Sequence, residues 1–366
     1  MKTFAKSFLA MALAILMTLS LAACGTNNPQ QESDTSSSDT TDPVSSADTT
    51  IPETTEPETE PDTDVVTVDK TQINVAVLAG PTGMGAVKLM QDNDAGTASN
   101  AYTFTVSAAP TEVTAGIING SYDIAAVPTN LAATLYQKTQ GGVQLLACNT
   151  MGVLYLLENG DTVNSLADLR GKTIYATGQG ATPEYILRYL LTENGIDPDQ
   201  DVTIEYYAEH AELATLMTEG SVTLGMLPEP NVTVVCSGNS DVRVALNLTE
   251  EWEKVGGDSA LIMGCVVVNT AFAAEHPEAV EAFLAEYEAS IAYVNENPAA
   301  ASELIAEYGI VGRAALAEKA IPNCNICFLS GEEMKTKISG FFEVLFQANP
   351  ASIGGQMPDD AFYYAG

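Results

Sequence analysis

The chain has 366 residues, with 14 Lys and Arg against 48 Asp and Glu and a formal charge of -34 at pH 7. A chain that acidic repels nucleic acid and anionic lipid headgroups, and two histidines with six scattered cysteines suit neither a histidine-rich zinc enzyme nor a disulfide-stapled miniprotein. The length exceeds what one hydrophobic core ordinarily serves, so two lobes are expected.

Lys2 and Lys6 precede an apolar run from Phe8 to about Ala23, which closes on Leu21-Ala22-Ala23-Cys24-Gly25. The run is shorter than the roughly 20 residues a membrane-spanning helix needs. Small residues directly before a cysteine make the segment resemble a bacterial lipoprotein signal with its lipobox. The resemblance implies that residues 1–23 are a signal peptide and that Cys24 becomes the first residue. Cys24 would then carry a diacylglycerol thioether and acyl chains such as palmitate, holding the protein on the outer face of the cell membrane. At about 0.8 kcal/mol per buried methylene, two chains anchor stably. Residues 24–70 are almost all Thr, Ser, Pro, Asp and Glu, with twelve acids against Lys70. They lack the apolar surface to fold and are expected to form a disordered acidic linker, of a length that suits a thick, Gram-positive cell wall.

The folded part begins with a strand, Ile73–Leu78, feeding a glycine-rich turn over 79–85 and a helix. A strand at Thr103–Ser107 leads to a helix that ends at Asn119-Gly120, where glycine supplies the left-handed cap. A strand at Asp123–Val127 then stops at Pro128. One hundred residues later the plan recurs: Thr103, Ala108, Glu112, Gly120, Ser121 and Pro128 fall on Thr203, Ala208, Glu212, Gly220, Ser221 and Pro228. Lys172–Ala176 is the matching first strand, and Thr182 before Pro183 reads as a helix N-cap with proline at the first helical position. Strand, helix, strand repeated in this way means parallel sheet. The apolar runs Gly152–Leu157 and Leu261–Val268 flank the second unit; each could be a core strand, and together they occupy the position of two crossover strands forming a hinge. Helical patterns at Pro277–Glu296 and Pro298–Tyr308 follow, most simply returning to cover the first lobe. The expected domains are residues 71–155 with 265–366 as lobe one and 156–264 as lobe two.

The lipobox, the acidic leash, the twin units, the segment DLRGKTIYATGQGATPEYIL and the ending SIGGQMPDDAFYY together resemble substrate-binding lipoproteins of ABC importers, in the nitrate, sulfonate, taurine and thiamine-pyrimidine-precursor class. The likeness covers residues 71–366 and the anchor. It implies an α/β, two-lobed type II periplasmic-binding-protein fold, each lobe a mainly parallel sheet flanked by helices. It also implies a monomeric receptor that captures a small-molecule solute and delivers it to a membrane permease served by an ATPase. Relatives on the same fold include enzymes that make thiamine-pyrimidine or menaquinone precursors. A convergent Ser/His/Asp or Cys/His set is not evident, so a non-enzymatic receptor is expected, with such an enzyme or a surface solute sensor as alternatives. Neither cofactor nor metal is expected.

In an open parallel sheet, solutes bind beyond the carboxyl ends of the strands, where amides at helix N-termini face outward. Four such turns supply the candidate ligand-binding residues. They are Gly80, Pro81, Thr82, Gly83 and Met84; Thr129 and Asn130; Gln179, Gly180, Thr182 and Glu184; and Glu229. Asn149, with Thr150 beside it before the first crossover, is a further candidate wall. Glycine admits a close ligand, while threonine and asparagine offer hydrogen bonds; for each polar residue helix capping is the competing role. Lys and Arg are absent from these turns, which disfavours a strong anion. Glu184 and Glu229 would suit a small organic nitrogen compound, although Glu184 could equally be an acid favoured by the helix dipole. Cys324 and Cys327 form a local disulfide or two free thiols, Cys148, Cys236 and Cys265 read as core, and His210 and His276 read as surface residues.

Overall fold

The computed structural model describes residues 70–366; the signal peptide, Cys24 and all of the linker except Lys70 lie outside the described residues. Lys70 belongs with the fold, because its ammonium donates to the carbonyls of Gly96 and Ala98.

The first half runs β1 (Gln72–Leu78), α1 (Pro81–Met84), α2 (Val87–Asp94), β2 (Ala101–Ser107), α3 (Pro110–Ile118), β3 (Ile124–Pro128), α4 (Thr129–Lys138) and β4 (Val143–Met151). The second runs β5 (Leu154–Asn159), β6 (Thr173–Thr177), α5 (Thr182–Glu193), β7 (Thr203–Tyr207), α6 (His210–Thr218), β8 (Leu224–Pro228), α7 (Asn231–Gly238), β9 (Val242–Asn247) and α8 (Leu248–Val255). The chain closes with β10 (Ile262–Asn269), α9 (Thr270–Glu275), α10 (Pro277–Glu296), α11 (Pro298–Glu307), α12 (Ala314–Ala320), β11 (Ile326–Leu329) and α13 (Gly331–Ala348).

Two sheets result, ordered β11-β4-β10-β3-β1-β2 and β7-β6-β8-β5-β9. β1 lies parallel to β2 and β3, and β6 lies parallel to β7 and β8. Each sheet also has an antiparallel strand in its middle that begins directly after the chain has crossed from the other sheet, and β11 adds an antiparallel edge to the first. β10 inserts between β3 and β4, and β5 inserts between β8 and β9. The two apolar runs flanking the second unit are therefore core strands that each begin directly after a crossing between the sheets: β5 lies wholly in the second sheet and β10 wholly in the first.

Sequence explains the regular elements locally. The helices α3 and α6 are C-capped by Asn119 and Glu219, and the following Gly120 and Gly220 take φ values of 76° and 78°, a conformation glycine adopts without steric cost. Pro277 opens α10, whose buried Ala279, Val280, Phe283, Tyr287, Ile291 and Val294 recur at three- and four-residue spacing. That spacing makes one apolar stripe, and it packs against the first sheet together with α2 and α11. The helix α13 does not simply cover lobe one. Its Phe341 ring lies edge-on to Trp252 of α8 at 5.5 Å between centroids, and Trp252 in turn packs on Tyr189 of α5 at 4.8 Å. One apolar cluster thus runs from Leu145 and Val267 of the first sheet through Phe341 and Leu345 to Leu156 and Leu190 of the second lobe.

Candidate functional site

Each lobe has three strands whose carboxyl ends feed helices at one rim, and all six of those turns meet in one cleft. From the first lobe come Gly80 and Thr82 after β1, Pro110 after β2, and Thr129 and Asn130 after β3. From the second come Gly178 and Thr182 after β6, His210 after β7, and Glu229 and Asn231 after β8. Thr150, Val153, Ile262 and Met263 of the crossovers complete the lining. The cleft volume is about 520 Å³, within the few hundred to roughly 1,000 Å³ typical of small-molecule sites. A larger hollow of about 690 Å³ between α5 and α13 lies away from these strand ends.

The wall chemistry is specific. Pro81, Pro110, Pro128, Pro183, Pro228 and Pro230 provide stiff apolar surfaces, because the pyrrolidine ring fixes φ. The N-cap side chains of α1, α3, α4, α5, α6 and α7 make no capping hydrogen bond, so the amides of these first turns are not occupied by their caps. Thr129 is 2% exposed, and its Oγ1 has no hydrogen-bond partner among the described residues; it sits against the Cys265 thiol, close enough to draw that thiol's pKa down against the larger upward push of burial. A buried hydroxyl without a partner costs free energy unless something else satisfies it.

The titratable side chains of the lining are those of His210 and Glu229; Lys, Arg, Phe, Tyr and Trp side chains are absent from the lining among the described residues. Glu229 is 2% exposed and accepts hydrogen bonds from the Thr233 amide (3.1 Å) and hydroxyl (3.0 Å). Burial pushes its pKa up, against the pull of the Thr233 and Asn323 hydrogen bonds. The His210 Nδ1 lies 2.6 Å from the Thr177 hydroxyl, and burial pushes its pKa down against the opposing effect of Glu209.

Of the residues singled out from sequence, Gly80, Pro81, Thr82, Thr129, Asn130, Thr182 and Glu229 line the cleft. Six do not. Gly83 and Met84 are buried behind the wall; a Cβ on Gly83 would fall 2.2 Å from the Leu78 carbonyl oxygen, so its bareness serves the packing of α1 on β1. Asn149 is 1% exposed and donates to the Thr82 carbonyl and the Tyr287 hydroxyl, both at 2.9 Å, which makes it a brace for the first turn. Gln179 and Gly180 sit exposed at the tip of the β6–α5 turn. Glu184 accepts from the Gly180 amide at 2.6 Å and faces the hollow beside α13, the helix-start role rather than the ligand role.

Two capping assignments also change. Ala181 is the N-cap of α5 and Gly80 that of α1, so Thr182 and Thr82 fall inside their first turns. Lys88 pairs with Asp92 and lies over the Tyr293 ring, outside the cleft. All five described cysteines are free; Cys148, Cys265 and Cys324 are buried, while Cys236 and Cys327 are half-buried.

His210 and Pro110 are lining residues that sequence reasoning missed, whereas Thr150, expected beside Asn149, does line the cleft. The signal was present: Pro110 and His210 are one hundred residues apart, at the first position of α3 and α6, so the internal repeat marks a third pair of strand–helix turns.

A family model described as NMT1/THI5 like matches residues 103–301. No curated protein matches the chain. Among solved structures, an ABC transporter protein from Parabacteroides distasonis is 25% identical, with a TM-score of 0.69 over 81% of this chain and 99% of that one. The periplasmic aliphatic sulphonate binding protein SsuA from Escherichia coli is 14% identical, with a TM-score of 0.62 over 80% and 95%. The ligand-binding component of an ABC-type import system from Staphylococcus aureus is 12% identical, with a TM-score of 0.60 over 81% and 97%. These likenesses match the two-sheet, periplasmic-binding-protein-like architecture expected from the sequence.

Proposed function

This chain belongs to the NMT1/THI5-like family, and from that membership we propose that it is the extracytoplasmic solute-binding lipoprotein of an ABC importer. It is anchored at Cys24 outside the cell, works as a monomer, and hands its solute to a permease driven by an ATPase. Its two lobes, expected at residues 71–155 with 265–366 and 156–264 and here taken with all of β5 in the second and all of β10 in the first, close on the solute about the crossovers; closure is favoured only as far as the solute binds the closed state better than the open one.

The observation that carries this reading is the convergence of six strand-end turns, three from each lobe, on one cleft of about 520 Å³. Its lining holds no base beyond His210 and includes the buried carboxylate of Glu229. A sulfonate or nitrate would there meet a carboxylate and no guanidinium or ammonium partner. Without Phe, Tyr or Trp rings in its lining the cleft also lacks the cage that quaternary ammonium groups use. The solute we favour is a small, polar, uncharged or weakly basic nitrogen compound, of which the thiamine-pyrimidine precursor is one candidate. Titration calorimetry with aminopyrimidines, cytosine, taurine and nitrate tests this. Tight binding of pyrimidines alone is the expected result; tight binding of nitrate or taurine alone overturns the solute class, and failure to bind any solute or to copurify with one overturns the receptor reading.

A further inference from the structure

His210 opens α6 at the cleft, and its position in the internal repeat is informative. The equivalent residue of lobe one is Pro110, which also lines the cleft but has no polar side-chain atom. The two lobes therefore present unlike chemistry at matched positions, a flat apolar shelf on one side and an imidazole on the other.

The imidazole is held in place. Its Nδ1 lies 2.6 Å from the hydroxyl of Thr177, a residue only 1% exposed at the end of β6. A buried hydroxyl on a strand end fixes the ring's orientation, and it leaves Nε2 on the opposite edge without a protein partner among the described residues. A hydroxyl can both donate and accept, so the neutral ring can carry its proton on either nitrogen and show the cleft an N–H or a lone pair. The residue is exposed at the cleft rim, and the ring's partial desolvation there lowers its pKa and so favours this neutral form.

We propose that His210 is a specificity-determining contact of the cleft: Thr177 positions the ring through Nδ1, and Nε2 hydrogen-bonds a ring nitrogen or amino group of the bound solute. The proposal rests on the receptor reading above and adds to it the group that recognises the solute's polar edge. Thr177 is a positioning residue and does not itself line the cleft.

The amide variants separate this role from a structural one. The asparagine amide nitrogen sits near the place of Nδ1 and the glutamine amide nitrogen near that of Nε2, so His210→Asn retains the Thr177 contact while His210→Gln retains the cleft contact. With aminopyrimidine and cytosine as probes, His210→Asn is expected to weaken binding about tenfold and His210→Gln clearly less, with unchanged melting temperatures. Thr177→Val is expected to weaken binding and Thr177→Ser to restore it. The chain has only two histidines, so the imidazole NMR signals can be assigned with one substitution; the His210 signals should move on adding probe while those of His276 stay fixed. Binding by the wild type with a silent His210 ring and equal affinity in both amide variants overturns the proposal alone. No binding of either probe by the wild type overturns the proposal together with the solute class beneath it.

Discussion

Glu229 and the threonines show how single side chains report on the cleft. Burial raises the Glu229 pKa above its ordinary value of 4.5, so the folded state keeps a proton that the unfolded chain releases. Linkage then makes this residue's contribution to stability fall as pH rises from 4.5 through the raised folded value. Relative to Glu229→Gln, the wild type should lose melting temperature steadily over that window, a gap that scanning calorimetry at a series of pH values would follow; a constant gap contradicts it. Thr82→Ala and Thr182→Ala should each weaken solute binding by about three- to tenfold without altering the melting temperature, as read by calorimetry. The two acids also mark the limit of residue-level reading: Glu184 and Glu229 have the same charge at similar turns, but only contact geometry tells that Glu184 is occupied by the Gly180 amide while Glu229 is walled into the cleft.

At the scale of elements, the β6–α5 turn depends on glycine in two different ways. Gly178 has φ of 77° and a Cβ there would lie 2.8 Å from the Pro183 ring, whereas Gly180 has φ of 72° and open space around it. Gly180→Ala should therefore cost about 1–2 kcal/mol for the left-handed backbone alone, and Gly178→Ala more, with the difference visible in urea midpoints. Equal midpoints would show that the turn relaxes. Gly80→Val, at φ of 98° with nothing near its missing Cβ, should strain the first cleft turn and weaken binding. The repeat at one hundred residues made most elements legible, down to the paired glycine caps, because strand–turn–helix units leave periodic apolar runs and glycines at their ends. The third turn of each unit was bracketed by the identities Ala108/Ala208 and Glu112/Glu212, but its lining residues were passed over: Pro110 and His210 share neither charge nor polarity, and a repeat read by identity skips positions where the two copies have diverged.

For the molecule as a whole, the cluster through Phe341, Trp252 and Tyr189 joins the lobes on one side while the cleft separates them on the other. Phe341 is fully buried, and Phe341→Ala should cost about 3–5 kcal/mol. Because the ring belongs to a core shared by both lobes, the wild type should unfold in one calorimetric transition, with the variant showing a lower or divided one; two separate transitions in the wild type would refute a shared core. The sequence hid this arrangement, since the apolar stripe of α13 declares that it packs but not against which lobe.

The late return of β10 to the first sheet also sets a timetable for a chain made from its N-terminus onward. All five strands of the second sheet lie between residues 154 and 247, so that sheet has its full complement as soon as one uninterrupted stretch has emerged. The first sheet is left with β3 and β4 facing an empty slot until Ile262–Asn269 arrives between them. The half synthesised first is thus the half completed last, and during that interval it carries bare backbone edges that a nascent chain must keep from pairing elsewhere.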